Sequence, residues 1–207
     1  MPLEDAQPGR IFVVGITGAS GAAYALGLLD QLLGRGHAVH LIVTQFGRRL
    51  LSDEAGIRSI DAASLVPGLL ERDPAASERL FIHPNKDVGA VIASGSFRHH
   101  GMVVIPASSQ SLASIATGAG SNLLVRAAQV TLKERRPLIV CHRETPLNLV
   151  DIENMRRVTL AGAIVCPLNP GLYLDPKGVG DLVDFMVGKV LDLLEVEHDL
   201  KTRWKGM

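Results

Sequence analysis

Several short stretches of this chain carry residues that bind anions or move protons. Gly15-Ile16-Thr17-Gly18-Ala19-Ser20-Gly21 is a glycine-rich turn with two hydroxyls. Its glycines bring backbone N–H groups close to an anion, or they serve a tight turn; the residues leave both readings open. The G-x-G-x-x-G spacing is absent, and Thr44 stands after the next apolar run, where a dinucleotide site places Asp or Glu on the ribose. That argues against NAD and agrees with a mononucleotide whose phosphate meets hydroxyls. Pro106-Ala107-Ser108-Ser109-Gln110-Ser111 sets three serines at a helix start. Capping accounts well for one serine and poorly for three, so a phosphate or ribityl chain held there is the better explanation. Arg126 and Lys133 share one helical face, either a solvated face or a pair of ligand-binding cations. Lys133-Glu134-Arg135-Arg136 before Pro137 equally fits a basic helix end that complements the dipole. Arg143-Glu144 is the most informative pair: a carboxyl group at a strand end beside a guanidinium serves as general acid or base, or the two form a structural ion pair.

The elements that must position these residues alternate. A β-branched apolar run at residues 10–16 is followed by the turn at 17–21 and by a helix at 22–33, with Ala25, Leu28, Leu29 and Leu32 on one stripe. A second buried strand follows at 38–43, completing a βαβ unit whose strands should be parallel. Helices are expected at 45–52, 108–117, 122–134, 152–161 and 179–196, and strands at 102–105, 138–141 and 163–166. Between 57 and 97 the pattern is weak, with one helix at about 62–70 and a short strand near 80–83. This alternation in one domain predicts a doubly wound, mainly parallel α/β sheet, flavodoxin-like or Rossmann-like. Ligands of such sheets bind beyond the carboxyl ends of the strands, and the ends of the five strands expected at 10–16, 38–43, 102–105, 138–141 and 163–166 release hydroxyl-bearing or charged residues into one rim.

Composition narrows the function. The 207 residues carry 21 Lys+Arg against 21 Asp+Glu, which leaves no electrostatic footprint for nucleic acid or an anionic membrane. With 47% hydrophobic residues the chain is globular, and its length suits one domain spanning 1–207. Two apolar stretches, 11–29 and 101–125, are long enough to span a bilayer, but four glycines break the first, and Pro106 with five serines breaks the second. The start lacks the basic region and cleavage signal of a secretory peptide, so the expected location is the cytoplasm. Cys141 and Cys166 lie far apart in apolar runs and read as reduced core thiols. The seven histidines show no metal-ligand spacing.

The chain resembles the UbiX-type flavin prenyltransferases, formerly described as aromatic acid decarboxylases. The resemblance runs from Arg10 to Trp204 through GITGASGAAY, the SGS of Ser94-Gly95-Ser96, GMVVIPASSQSLASIATG, LKERRPLIVCHRETPLNL and GLYLDP. It implies a flavodoxin-like dodecamer that joins a dimethylallyl group from dimethylallyl phosphate to reduced FMN without a metal, and delivers prenylated FMN to a UbiD-type decarboxylase. Carried over by motif, FMN is held by Gly18, Ala19, Ser20, Thr44, Ser108, Ser109, Gln110, Ser111 and Arg143. The prenyl phosphate is gripped by Arg126, Lys133, Tyr173 and Lys189, while Ser20, Glu54 and Glu144 act in proton and phosphate chemistry. Trp204, in a tail at about 196–207, reaches a neighbouring subunit. Two positions depart from the pattern. Lys189 replaces the Arg of many members, and the segment before Ser94 lacks their aromatic residue. The serine-rich loop also resembles that of flavin-dependent cysteine decarboxylases, but their PxMNxxMW clamp is broken here at Pro167-Leu168-Asn169-Pro170. A non-catalytic FMN-binding subunit is the third reading, which Glu144, Lys133 and Arg126 argue against.

Overall fold

Six short apolar runs pair as parallel strands: β1 (Ile11–Ile16), β2 (Ala38–Val43), β3 (Leu80–Pro84), β4 (Gly101–Ala107), β5 (Leu138–His142) and β6 (Ile164–Val165). This computed structural model describes residues 9–200 and 202. The strand order is β3-β2-β1-β4-β5-β6, the six-strand Rossmann order, so the doubly wound parallel class expected from the sequence is borne out. Winding reverses between β1 and β4, and the loops leaving their carboxyl ends diverge there to leave a crevice.

Helices cover both faces. On one, α1 (Ala22–Gly34) buries the expected stripe of Ala25, Leu28, Leu29 and Leu32, and α8 (Val179–Leu193) buries Phe185, Met186, Val187, Val190 and Leu191 against the same core. On the other, α5 (Ser109–Thr117) and α6 (Leu123–Lys133) bury Leu112, Ile115, Leu123, Leu124, Ala127 and Ala128. Three helices that start at the rim carry a side-chain cap of their own: Thr44 for α2 (Gln45–Ala55), Ser108 for α5 and Asn122 for α6. A reciprocal capping box of Asn148 and Asp151 starts α7 at Leu149, three residues earlier than periodicity suggested, and α7 runs from Leu149 to Leu160.

The weakly patterned region departs most from expectation. Its single helix is two, α3 (Ala62–Leu65) and α4 (Pro67–Arg72), because Pro67 keeps Val66 out of the helical region, at φ −139° and ψ 52°. The short strand near 80–83 is β3, at the sheet edge. Cys141 and Cys166, remote in sequence, become neighbours on β5 and just beyond β6. Among the described residues no helix is long and apolar enough to cross a membrane.

Candidate active site

Thr17 stitches the crevice together. Its buried hydroxyl donates to the Pro106 carbonyl at 2.8 Å and accepts from the Ser108 N–H at 2.8 Å, tying the end of β1 to the start of α5. Gly18 follows and lies so near Phe46 that a Cβ would stand 2.4 Å from the Phe46 Cβ, so only glycine fits without a backbone shift. Together with Thr44, Phe46, Asn85, Ser108, Gln110, Ser111, Ser114 and Asn122, Gly18 lines a cavity of about 170 Å³. Hydroxyls, side-chain amides and the amino end of the nine-residue α5 converge on it, the donor set an anionic phosphate requires.

The three serines at this helix start have different employments. Ser108 caps α5 through the Ser111 N–H at 3.3 Å and donates to the Ser111 hydroxyl at 3.1 Å. Ser109 hydrogen-bonds to the Asp151 carboxylate and lies 3.1 Å from His142 Nε2. An ionised carboxylate only accepts, so Ser109 donates to Asp151 and takes the His142 Nε2 proton as acceptor, which sets the imidazole tautomer. Burial holds His142 below the ordinary histidine range, against the opposing pull of Asp151 and Glu144. Ser109 is thus engaged by His142 and Asp151, while Ser111 and Ser114 face the cavity.

A second cavity of about 320 Å³ adjoins the loops after β5 and β6, lined by His142, Arg143, Glu144, Leu147, Leu168 and Asn169 among others. Arg143 Nε donates to the Ser20 carbonyl at 3.3 Å, linking this rim to the glycine-rich turn. Glu144 is exposed, accepts the Thr145 N–H at 3.1 Å, and has no ion-pair partner among the described residues, so the structural ion pair with Arg143 does not form. Glu54 reaches across from α2 to accept the Gly21 and Ala22 N–H groups at 3.0 and 2.9 Å, capping α1, whose own cap residue is a glycine. Burial pushes the Glu54 carboxyl up, but the Ser20 hydroxyl, these two N–H groups and Arg143 outweigh it and hold it below its ordinary value. Glu54 is therefore ionised at neutral pH and acts as an acceptor for Ser20.

The basic residues divide between helices on the two faces of the sheet. Tyr173 packs edge-on against Phe185 with ring centroids 5.6 Å apart, and Lys189, one turn further along α8, lies 3.9 Å from Asp192 and close enough to Cys166 to bias its charge. α6 runs from Asn122 at the first cavity down to Lys133 beside the amino ends of β4 and β5, and α8 runs in the same sense, with Leu194 at its end lying against Gly101 at the start of β4. Arg126 Nε donates to the Ala93 carbonyl at 3.2 Å, and Lys133 pairs with Glu134 at 2.6 Å. The two share a face as the spacing predicted, turned toward residues 93–95. Seven residues of helix put Lys133 roughly 10 Å below Arg126, and one copy of the chain does not bring it to the rim of Glu144. Gly95 lies beneath this pair: a Cβ there would stand 2.2 Å from Glu134 Oε1 and 2.9 Å from Lys133 Nζ, so the ends of both flexible side chains would have to shift. Trp204 lies outside the described residues.

Asn85, Asn122, Ser114, Phe46 and the Asn148–Asp151 box were not singled out from the sequence. The Asn-x-x-Asp spacing ahead of α7 is a legible capping signal, and Asn122 before an apolar run is another. Asn85 accepts the Leu124 N–H at 3.1 Å from the end of β3, which no local spacing announces.

A hydroxyl-lined helix start at the reversal point of a doubly wound sheet, beside a rim carrying an unpaired carboxylate, defines a flavoprotein-type site, and the Flavoprotein family model matches residues 2–191. A protein of Halalkalibacterium halodurans named flavin prenyltransferase UbiX is 43% identical over 194 residues, which cover 94% of this chain and 93% of its own. The chain belongs to the UbiX family of flavin prenyltransferases. The crystal structure of AnUbiX (PadA1) in complex with FMN and dimethylallyl pyrophosphate superposes with a TM-score of 0.85 at 34% identity, covering 96% of this chain and 99% of that one. A dodecameric FMN-dependent UbiX-like decarboxylase from Escherichia coli O157:H7 gives 0.83 at 35%, covering 95% and 100%. The cysteine decarboxylase TvaF shares the fold alone, at 12% identity and a TM-score of 0.59.

Proposed function

We propose that this chain transfers the dimethylallyl group of dimethylallyl phosphate to reduced FMN, and that the product passes to a UbiD-type decarboxylase. The observation that carries the reading is the pair of cavities at the strand ends, one lined by hydroxyls at a helix start and the other by an unpaired Glu144, with Arg143 of the second held to Ser20 of the glycine-rich turn. Gly18, Ala19, Ser20, Thr44, Gln110, Ser111 and Arg143 hold FMN, with Ser108 and Ser109 fixing the helix start beneath it. Bound reduced FMN supplies the electron-rich ring that accepts the prenyl group.

The chain's own residues handle charge and protons. Preorganised cations stabilise a leaving phosphate, and Arg126, Lys133, Lys189 and the Tyr173 hydroxyl fill that role. Because Lys133 on α6 and Lys189 on α8 lie on opposite faces of the sheet in one copy, the cluster closes only when copies assemble. A homododecamer with Trp204 docked on a neighbour meets this need, and the UbiX-like relative from Escherichia coli O157:H7 is dodecameric. Glu144 donates a proton to the departing phosphate and takes up the one released as the new ring forms. Ionised Glu54 orients the Ser20 hydroxyl for the same traffic. Lys189 offers the phosphate a point charge where an arginine would bind it bidentately. The enzyme works in the cytoplasm, a compartment that holds thiols reduced at rest.

The test is anaerobic incubation of purified protein with reduced FMN and dimethylallyl phosphate, followed by the absorption spectrum and mass of the extracted flavin. A prenylated flavin is expected. Unmodified FMN, with decarboxylation of a cysteinyl peptide instead, would overturn the proposal.

A further inference from the structure

Cys141 is the fourth residue of β5, and Cys166 directly follows β6. Val140 pairs with Val165, and the ladder continues: the Cys166 N–H donates to the Val140 carbonyl at 2.9 Å, and the Leu168 N–H to the His142 carbonyl at 3.0 Å. Register therefore sets Cys141 opposite Cys166. Both face the core shared with α1 and α8, Cys141 fully buried and Cys166 at its edge, partly exposed. Neighbouring parallel strands run about 4.8 Å apart, inside the roughly 4.4–6.8 Å Cα window that a disulfide spans. The two thiols hydrogen-bond to each other.

Their environments differ in a way that assigns roles. The hydrogen bond from Cys141 and the Lys189 ammonium hold the Cys166 thiol below its ordinary value despite burial, whereas burial pushes Cys141 well up. Cys166 is the accessible nucleophile and Cys141 the sheltered partner that resolves it.

We propose that Cys141 and Cys166 are a redox modification site, a dithiol that hydrogen peroxide converts reversibly to an intrachain disulfide at the root of the two rim loops. The Cys166 thiolate attacks one peroxide oxygen, the O–O bond breaks, and a sulfenic acid and hydroxide form. The Cys141 sulfur then attacks the Cys166 sulfur, the S–O bond breaks, and the oxygen leaves as water with the Cys141 proton. In sum, two thiols lose two electrons and two protons, and one peroxide becomes two waters. A disulfide prefers a Cβ separation of about 3.5–4.5 Å, so the strand ends must pinch together, which keeps the bond reducible. His142, Arg143 and Glu144 hang from one cross-linked residue, and Pro167, Leu168 and Asn169 from the other, all of them lining the second cavity. Transient disulfides of this kind are the sort that a reducing compartment tolerates.

The experiment uses the full chain, reduced, freed of reductant, treated with stoichiometric hydrogen peroxide, then denatured, alkylated and mapped by mass spectrometry. The expected result is loss of both alkylatable thiols together, a mass lower by two hydrogens, and a linked Cys141–Cys166 peptide within one chain that dithiothreitol reverses. Cys141→Ser should leave Cys166 as sulfenic or sulfinic acid, and Cys166→Ser should leave Cys141 unoxidised. The site is disproved if wild-type Cys166 over-oxidises while Cys141 stays alkylatable, or if the cross-link forms between chains. None of these readouts depends on FMN or on turnover.

Discussion

Replacing Thr17 by valine keeps the side-chain shape and removes one buried hydroxyl that makes two hydrogen bonds of 2.8 Å. The Ser108 N–H is then left without its partner in the interior, a cost of about 1–3 kcal/mol, while the Pro106 carbonyl keeps only the Thr17 N–H at 3.3 Å and loses about 1 kcal/mol. The expected destabilisation is about 2–4 kcal/mol, at least roughly 30-fold in the folding equilibrium at the lower figure. Urea unfolding at a fixed protomer concentration measures it, since assembly links stability to concentration. Thr17→Ser, which keeps the hydroxyl and loses one methyl, should cost about 1 kcal/mol. Because Thr17 also anchors the start of α5, the valine variant should bind FMN at least tenfold more weakly under conditions where it remains folded. A valine variant within 0.5 kcal/mol of wild type, with unchanged FMN affinity, would refute the view that this hydroxyl joins β1 to the FMN-binding helix start.

Glu144→Gln should retain FMN and substrate binding while turnover falls by about 10²–10⁴-fold; a wild-type rate would remove Glu144 from the proton chemistry. Lys133→Ala should raise the dimethylallyl phosphate requirement at least tenfold and leave FMN affinity unchanged, as separate titrations will show; joint loss of both would mean that the two phosphates share one pocket. Light scattering should return a mass well above a dimer, and a monomer would sink the shared site. His37, His40 and His99 are buried and each lowered to about 4, chiefly by burial, helped respectively by Arg10, by His83 and by Arg136. Their folded values lie below the unfolded one of 6.5, so the unfolded chain binds protons first. Stability is complete above about pH 6.5 and falls as pH drops toward 4, by a few kcal/mol in total. Urea midpoints that are equal at pH 7 and pH 5 would contradict this.

The alternation of apolar runs and glycine-rich turns determined the class of fold, because periods of 2 and 3.6 are local properties of the chain. The stripe of Ala25, Leu28, Leu29 and Leu32 faces the core as its spacing demanded, and the polar residues released after β1, β2 and β4 gather at one crevice. Spacing could not say which strands become neighbours, since strand order is decided by long-range burial on both faces of the sheet. That order sets Thr17 against Ser108 and Cys141 against Cys166. Side-chain employment was equally hidden: Ser109 is claimed by His142 and Asp151, and Glu54 by the open end of α1, because these partners arrive from distant segments. The basic residues show the limit most clearly. Arg126 and Lys133 share a face as helical geometry requires, yet the direction of α6 carries Lys133 to the amino ends of the strands, where Gly95 leaves room for it and Glu134. A helix's direction relative to the sheet follows from the parallel connection it must close, and only the tertiary structure expresses that.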